Sequence, residues 1–205
     1  MPLVLLIRHG ENDYVKKGRM AGRLPGVHLN ERGRAQAQAV AEKLSGAPIK
    51  ALYSSPMERA LETAEPLASC LGLEVIHRPG LLETDIGEWQ DQKWKGLSRL
   101  KLWKTVQNRP SLFRFPGGET FAEGQLRISQ EILDLCAQHD PKDLIACVSH
   151  ADPIKLAVAY FIGLPLDMFQ RLAVSPASIT ALFISEGSSS LLTLNYDVSF
   201  TLKRP

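Results

Sequence analysis

Leu3-Val4-Leu5-Leu6-Ile7-Arg8-His9-Gly10-Glu11 is the stretch on which the reading of this chain turns. An apolar run ended by a glycine turn reads as a buried strand. A guanidinium and an imidazole follow it directly. Ligands of open α/β sheets bind at such strand ends. Fixed positive charge beside a histidine disfavours the imidazolium, leaves a nucleophilic ring nitrogen and attracts phosphate. An isolated Arg-His pair is better read as a surface histidine behind a core strand, so the rest of the chain must carry the case.

Beyond the polar loop from Asn12 to His28, strands and helices alternate. Asn30 is a predicted N-cap, Ala35, Ala39, Val40 and Leu44 recur at helical spacing, and Gly46 closes that helix. Ala51–Tyr53 reads as a second strand. Ser55-Pro56 is the predicted opening of the next helix, which ends at Gly72. Leu73–Ile76 reads as a third strand. Trp94, Leu97, Leu100 and Trp103 predict one amphipathic helix. Thr120 and Glu123 form a capping box for a helix to about Ala137. Leu144–Val148 is a fourth strand and Ala151 to Ile162 a helix. Ile179–Ser185 and Leu191–Tyr196 flank a turn at Glu186-Gly187-Ser188. This alternation predicts an α/β three-layer sandwich, a mostly parallel sheet flanked by helices. Residues 1–205 read as one domain, with 79–118 either a small cap or insert segment or ordinary packing.

Composition narrows the class. The chain has 205 residues, a net charge of +2, 44% hydrophobic and 22% charged residues. That balance gives no reason to invoke nucleic acid, and no stretch reaches membrane-spanning length. Cys70, Cys136 and Cys147 lack metal or redox spacing and read as buried, reduced thiols, which with the absence of a signal-like segment predicts a cytoplasmic protein. The apolar C-terminal hairpin offers an interface for a homodimer.

Strand exits carry the chemistry. The first gives Arg8-His9, the second Ser54-Ser55-Pro56-Met57-Glu58-Arg59, the fourth Ser149-His150. If these strands are parallel neighbours, two arginines and two histidines converge where helix N-termini add positive charge, a site for phosphate. Arg59 also fits a solvent-facing helix residue, and His150 a satisfied histidine at a helix start. A leaving oxygen needs a proton, and Glu83 or Asp85 in Leu81-Leu82-Glu83-Thr84-Asp85-Ile86-Gly87 could give it. Burial after apolar residues raises the Glu83 pKa, while nearby arginines oppose the rise. Spacing alone does not choose between the two carboxylates.

These segments resemble the histidine phosphatase superfamily, the phosphoglycerate mutase-like phosphatases. Arg8-His9-Gly10-Glu11 matches its signature. Leu29-Asn30-Glu31-Arg32-Gly33 with Gln36-Ala37, Ser54 to Ala64 with Arg59-Ala60 and Thr63-Ala64, Glu83 with Gly87 and Trp89, Pro116-Gly117-Gly118-Glu119-Thr120, and Val148-Ser149-His150 follow in the family's order. The resemblance implies that His9 accepts a phosphoryl group, that Arg8, Arg59 and His150 hold its oxygens, and that Glu83 is the acid and base. It implies a small phosphorylated metabolite as substrate and neither metal nor cofactor. The Cys-x5-Arg, GxSxG and GxxxxGK[ST] designs are absent. The family's phosphomutases carry a longer insertion after the acid segment, so a phosphatase is expected. The alternatives are a bisphosphoglycerate-dependent phosphomutase and an inactive phospho-ligand binding protein.

The chain departs from that pattern at several points. Asn12 stands where threonine is common, Val15 where a phosphate-contacting asparagine would fall, and Ala151 where glycine is usual. Gln90-Asp91 replaces a frequent Glu-Gly. Asn12, Gly22 and Arg23 are carried as substrate-binding candidates, Arg23 with the alternative of facing water. Lys93, Lys95, Arg99, Lys101, Lys104, Arg109 and Arg114 lie in a stretch without acidic residues. That segment either rims the pocket for a second anionic group or is a solvated face with Trp94 and Trp103 packing inward.

Overall fold

A computed structural model describes residues 2–185 and 187–197. Its six strands are β1 (Leu3–Arg8), β2 (Ile49–Ser54), β3 (Val75–His77), β4 (Leu144–Ser149), β5 (Ile179–Ile184) and β6 (Ser189–Tyr196), in the spatial order β3-β2-β4-β1-β5-β6. The first four in that order are parallel, while β5 pairs antiparallel with β1 and β6 antiparallel with β5. The sheet is therefore mixed, with its parallel part holding the strands that end in the motifs quoted above.

β1 shows why the opening run is uniformly apolar. Val4 and Leu6 pack into the core on one face, and Leu5 and Ile7 into the core on the other. A strand covered on both faces cannot alternate apolar with polar residues. On one side lie α2 (Glu31–Leu44) and α3 (Glu58–Leu71); on the other, α6 (Phe121–Cys136) and α7 (Ala151–Phe161). This is the expected three-layer α/β sandwich.

Asn30 caps α2 through Gly33 N, and Thr120 and Glu123 form the reciprocal box on α6. Other local readings shift. α2 ends at Leu44 with Ser45 as its C-cap, two residues before Gly46. α3 begins at Glu58 behind Met57, and the Ser55 hydroxyl, which accepts from Met57 N at 3.4 Å, pairs more closely with His150 Nε2 at 2.8 Å. β3 starts two residues later than read. The single helix expected over Trp94 to Trp103 is two, α4 (Trp94–Leu97) and α5 (Lys101–Asn108), broken where Leu100 is extended. A short α1 (Asp13–Lys16) sits inside what read as loop. Cys70 is exposed, while Cys136 and Cys147 are buried. Glu186 of the predicted hairpin turn lies outside the described residues.

Residues 79–118 are threaded through the main core. Leu81, Trp89, Leu97, Phe113 and Phe115 share one cluster with Leu6 of β1 and Ile132 of α6. Among the described residues, no helix is long and apolar enough to cross a membrane.

Candidate active site

Parallel pairing of β1 with β4 and of β4 with β2 puts three strand exits side by side. Main-chain bonds then fix their tips: His9 N donates to Ser149 O at 2.9 Å and Ser55 N to Val148 O at 2.9 Å. The turn after β1 is drawn tight by glycine. A Cβ on Gly10 would come within 2.6 Å of Gly33 O, and one on Gly33 within 2.0 Å of Glu11 O. Gly10 N also donates to Thr63 Oγ1, which itself bonds Arg59 O. Gly10, Gly33 and Thr63 thus align the turn that carries His9 with the helix that carries Arg59.

The exits open on a cavity of about 500 Å³ lined at one end by Arg8, His9, Asn12, Gly22, Arg59 and Glu83. His9 is 3% exposed. Its Nδ1 lies 2.7 Å from Gly10 O; a carbonyl only accepts, so Nδ1 carries the proton and the Nε2 lone pair is left available. Burial, then the charges of Arg59 and Arg8, hold its pKa well below the ordinary histidine value. The ring is neutral near pH 7.

Arg59 is buried, Arg8 is half-buried, and both guanidinium groups are short of acceptors. Arg8 Nη1 donates to Val174 O, and Arg59 Nη2 to Gly22 O. Arg8 Nε, Arg59 Nε and Nη1, and Asn12 Nδ2 have no protein partner. Buried donors are rarely left unpaired because desolvation then costs about 1–3 kcal/mol each. Four such donors on three neighbouring residues make a cradle for an anionic, oxygen-rich group. Asn12 Oδ1 is occupied as the cap of α1, accepting from Val15 N, which turns its amide nitrogen to this role.

Glu83 stands on the same wall, its side chain 19% exposed. Burial, with help from the charge of Asp152, pushes its pKa up to about 7, against the opposing pull of Arg59 and Arg8. Its loop is held by Glu119 and Arg127, neither assigned a role from sequence. Glu119 Oε1 accepts from Asp85 N and Arg127 Nη2, and Arg127 Nη1 donates to Gly80 O and Leu82 O. Glu119 falls in the Pro116–Thr120 motif, which was its only signal; Arg127 had none. Asp152 and Lys155, on the first turns of α7, also line the cavity.

Three expected positions fall otherwise. Arg23 does not line the cavity: its Nε donates to Glu83 O, its Nη2 to Glu119 and its Nη1 approaches Asp85. It braces the acid loop. His150 is fully buried one layer back, its ring centroid 5.2 Å from that of His9. Its Nε2 pairs with Ser55 Oγ at 2.8 Å, and Arg59 Nη2 lies 3.3 Å from its Nδ1. Asp85, the other carboxylate candidate, accepts from Gly87 N and stays off the cavity wall. Of the basic segment, only Trp94 reaches the wall.

A mixed sheet whose parallel strand exits present a neutral histidine among unpaired guanidinium donors defines a phosphoryl-transfer site of the histidine type. Comparison with known proteins agrees. The histidine phosphatase superfamily (branch 1) matches residues 4–197, and the chain belongs to that family. It is 28% identical to phosphoserine phosphatase 1 of Hydrogenobacter thermophilus over 95% of this chain and 92% of that protein. It is 27% identical to a 2,3-bisphosphoglycerate-dependent phosphoglycerate mutase of Thermoplasma acidophilum, with the same coverage. Among solved structures, a mycobacterial glucosyl-3-phosphoglycerate phosphatase complexed with VO3 superposes with a TM-score of 0.87 at 27% identity, over 96% of this chain and all of that one. The phosphoserine phosphatase of Entamoeba histolytica, in complex with 3-phosphoglyceric acid, gives 0.84 at 28% identity over 95% and 97%. The chain is thus a phosphatase of the histidine phosphatase type.

Proposed function

We propose that the protein hydrolyses small phosphomonoesters, without a metal ion, through a phosphohistidine on His9. The observation that carries this is the set of four unpaired buried donors around a histidine held neutral with Nε2 available. His9 Nε2 attacks phosphorus as the ester P–O bond breaks. The departing alkoxide takes a proton from Glu83, whose pKa near 7 leaves much of it protonated at neutral pH. Water then attacks the phosphohistidine, Glu83 recovers the proton, the N–P bond breaks and phosphate leaves. Arg8, Arg59 and Asn12 hold the equatorial oxygens, where charge is spread in the transition state. His150 orients Arg59 and backs His9.

Two relatives, a phosphatase and a mutase, bracket the finer assignment. The test is turnover of a phosphomonoester panel with EDTA present, with trapping of an acid-labile, base-stable phosphoenzyme. The expected result is metal-free turnover and a phosphoenzyme, both abolished by His9→Ala. Activity that needs a divalent ion or survives His9→Ala contradicts the mechanism. Phosphoryl exchange that appears only with added 2,3-bisphosphoglycerate assigns the mutase instead.

A further inference from the structure

The rest of the cavity wall differs in character from the residues around His9. It includes Tyr14, Met20, Ile86, Trp94 and Leu172. Two cations reach it, and both are already matched. Arg19 Nη2 lies 2.6 Å from Asp91 Oδ1 and also donates to Asp91 O, while its Nε donates to Oδ1 at 3.1 Å. The same guanidinium lies 5.9 Å from the centre of the Tyr14 ring, and Tyr14 is hydrogen-bonded to Asp91. Asp91 holds this arrangement from a φ of +63°, a region that few residues besides glycine, asparagine and aspartate adopt. Lys155 Nζ, for its part, lies 3.4 Å from Asp152 Oδ1.

Trp94 supplies the apolar counterpart. It is 52% exposed at the cavity edge, yet it is not loose, because its ring meets Trp103 edge-on at 5.7 Å and Trp103 stacks on buried Trp89. A large ring held rigidly beside a cavity is a contact surface with little ordering cost. The exposed cations of the same segment do not line the cavity.

We propose that the leaving group is chosen by apolar contact. The substrates are monoesters whose alcohol bears an apolar or aromatic group and no second charge, seated between Trp94 and Leu172. This rests on the phosphatase reading above and names its substrate class. A second carboxylate or phosphate would enter a place whose cations are spent and whose nearest unmatched charge is at the phosphate end.

The test compares kcat/KM for 2-phenylethyl phosphate, glycerol 3-phosphate and 3-phosphoglycerate, whose leaving alcohols are all alkyl, so that chemistry differs little. The expected order is that order, with 2-phenylethyl phosphate ahead of 3-phosphoglycerate by roughly tenfold or more. Trp94→Ala narrows that ratio mainly through KM, and Trp94→Phe restores most of it. Asp91→Asn, which keeps the backbone conformation and the acceptors of Arg19 but removes the charge that matches it, raises 3-phosphoglycerate several-fold relative to 2-phenylethyl phosphate. An equal or higher kcat/KM for 3-phosphoglycerate on the native enzyme overturns the proposal, as does a ratio indifferent to Trp94→Ala. Failure to turn over any of the three, with no phosphoenzyme on His9, overturns the phosphatase reading and this inference with it.

Discussion

Replacement of Glu83 by glutamine isolates the proton on which the chemistry depends. The native carboxyl, with its pKa near 7, is about half protonated at pH 7 and about one tenth protonated at pH 8. If it is the acid, kcat/KM falls about tenfold per pH step above 7. The opposite limb lies well below the ordinary histidine value, because His9 stays neutral until then. Glutamine removes the proton and the titration together. For an alkyl phosphate the expected loss is on the order of 10²–10⁴-fold, the usual worth of a positioned general acid. For p-nitrophenyl phosphate, whose phenolate leaves unaided, the loss is about tenfold or less. The assay is kcat/KM from pH 5 to 9 on both substrates for both proteins. The phosphate's own second ionisation near pH 6 is shared by the two proteins and cancels in the comparison. The same substitution carries a stability signature. A carboxyl raised from 4.5 to about 7 on folding adds stability that is fully present below 4.5 and lost as pH rises through about 7. Moving from pH 5 to pH 8 therefore costs the native protein up to about 3 kcal/mol that the glutamine variant does not lose, at about 1.4 kcal/mol per tenfold. Survival of the alkaline limb in Glu83→Gln, or equal losses on the two substrates, refutes the assignment of the acid.

Other outcomes follow from the same geometry. Asp152→Asn removes a negative charge that helps raise the Glu83 pKa, so the alkaline limb of kcat/KM moves to lower pH, read from the same profile. Gly33→Ala drives a methyl group into Glu11 O and costs about 2 kcal/mol, a fall of about 4–8 °C in Tm by thermal denaturation. Charge reversal at both Lys101 and Lys104, which are exposed and off the cavity, leaves KM for 3-phosphoglycerate within about twofold at physiological salt, measured by initial rates.

How far the sequence could be read depended on the kind of interaction. β1 was legible because a strand buried on both faces must be apolar throughout, and α6 because Thr120 and Glu123 cap it locally. The juxtaposition of residues 9, 59 and 150 was legible as a conditional, needing only parallel neighbours. What escaped was set by long-range partners. Ser55 reads as a helix cap by local rule, yet its hydroxyl pairs more closely with His150, distant in sequence. Arg23 reads as a ligand contact, yet Glu119 and the Glu83 carbonyl take its donors. The break at Leu100 interrupts a three-residue spacing that pattern alone would continue. Spacing did not choose between Glu83 and Asp85; the family resemblance did, and the cavity wall holds Glu83 and not Asp85.

Most of the charges around the pocket are matched or held neutral. Arg19 is matched by Asp91 and Lys155 by Asp152; His9 and His150 are held neutral by burial and by the arginines. With Glu83 protonated, Arg8 and Arg59 remain uncompensated, two positive charges facing the cavity that suit a phosphomonoester dianion. Binding such a dianion raises the Glu83 pKa further, so the acid keeps its proton until the leaving oxygen needs it. Once the alcohol departs, the ionised Glu83 faces two arginines, which stabilise it until water arrives to return the proton. The pull of Arg59 and Arg8 that lowers the Glu83 pKa and the burial that raises it are therefore both used, one in each half of the cycle.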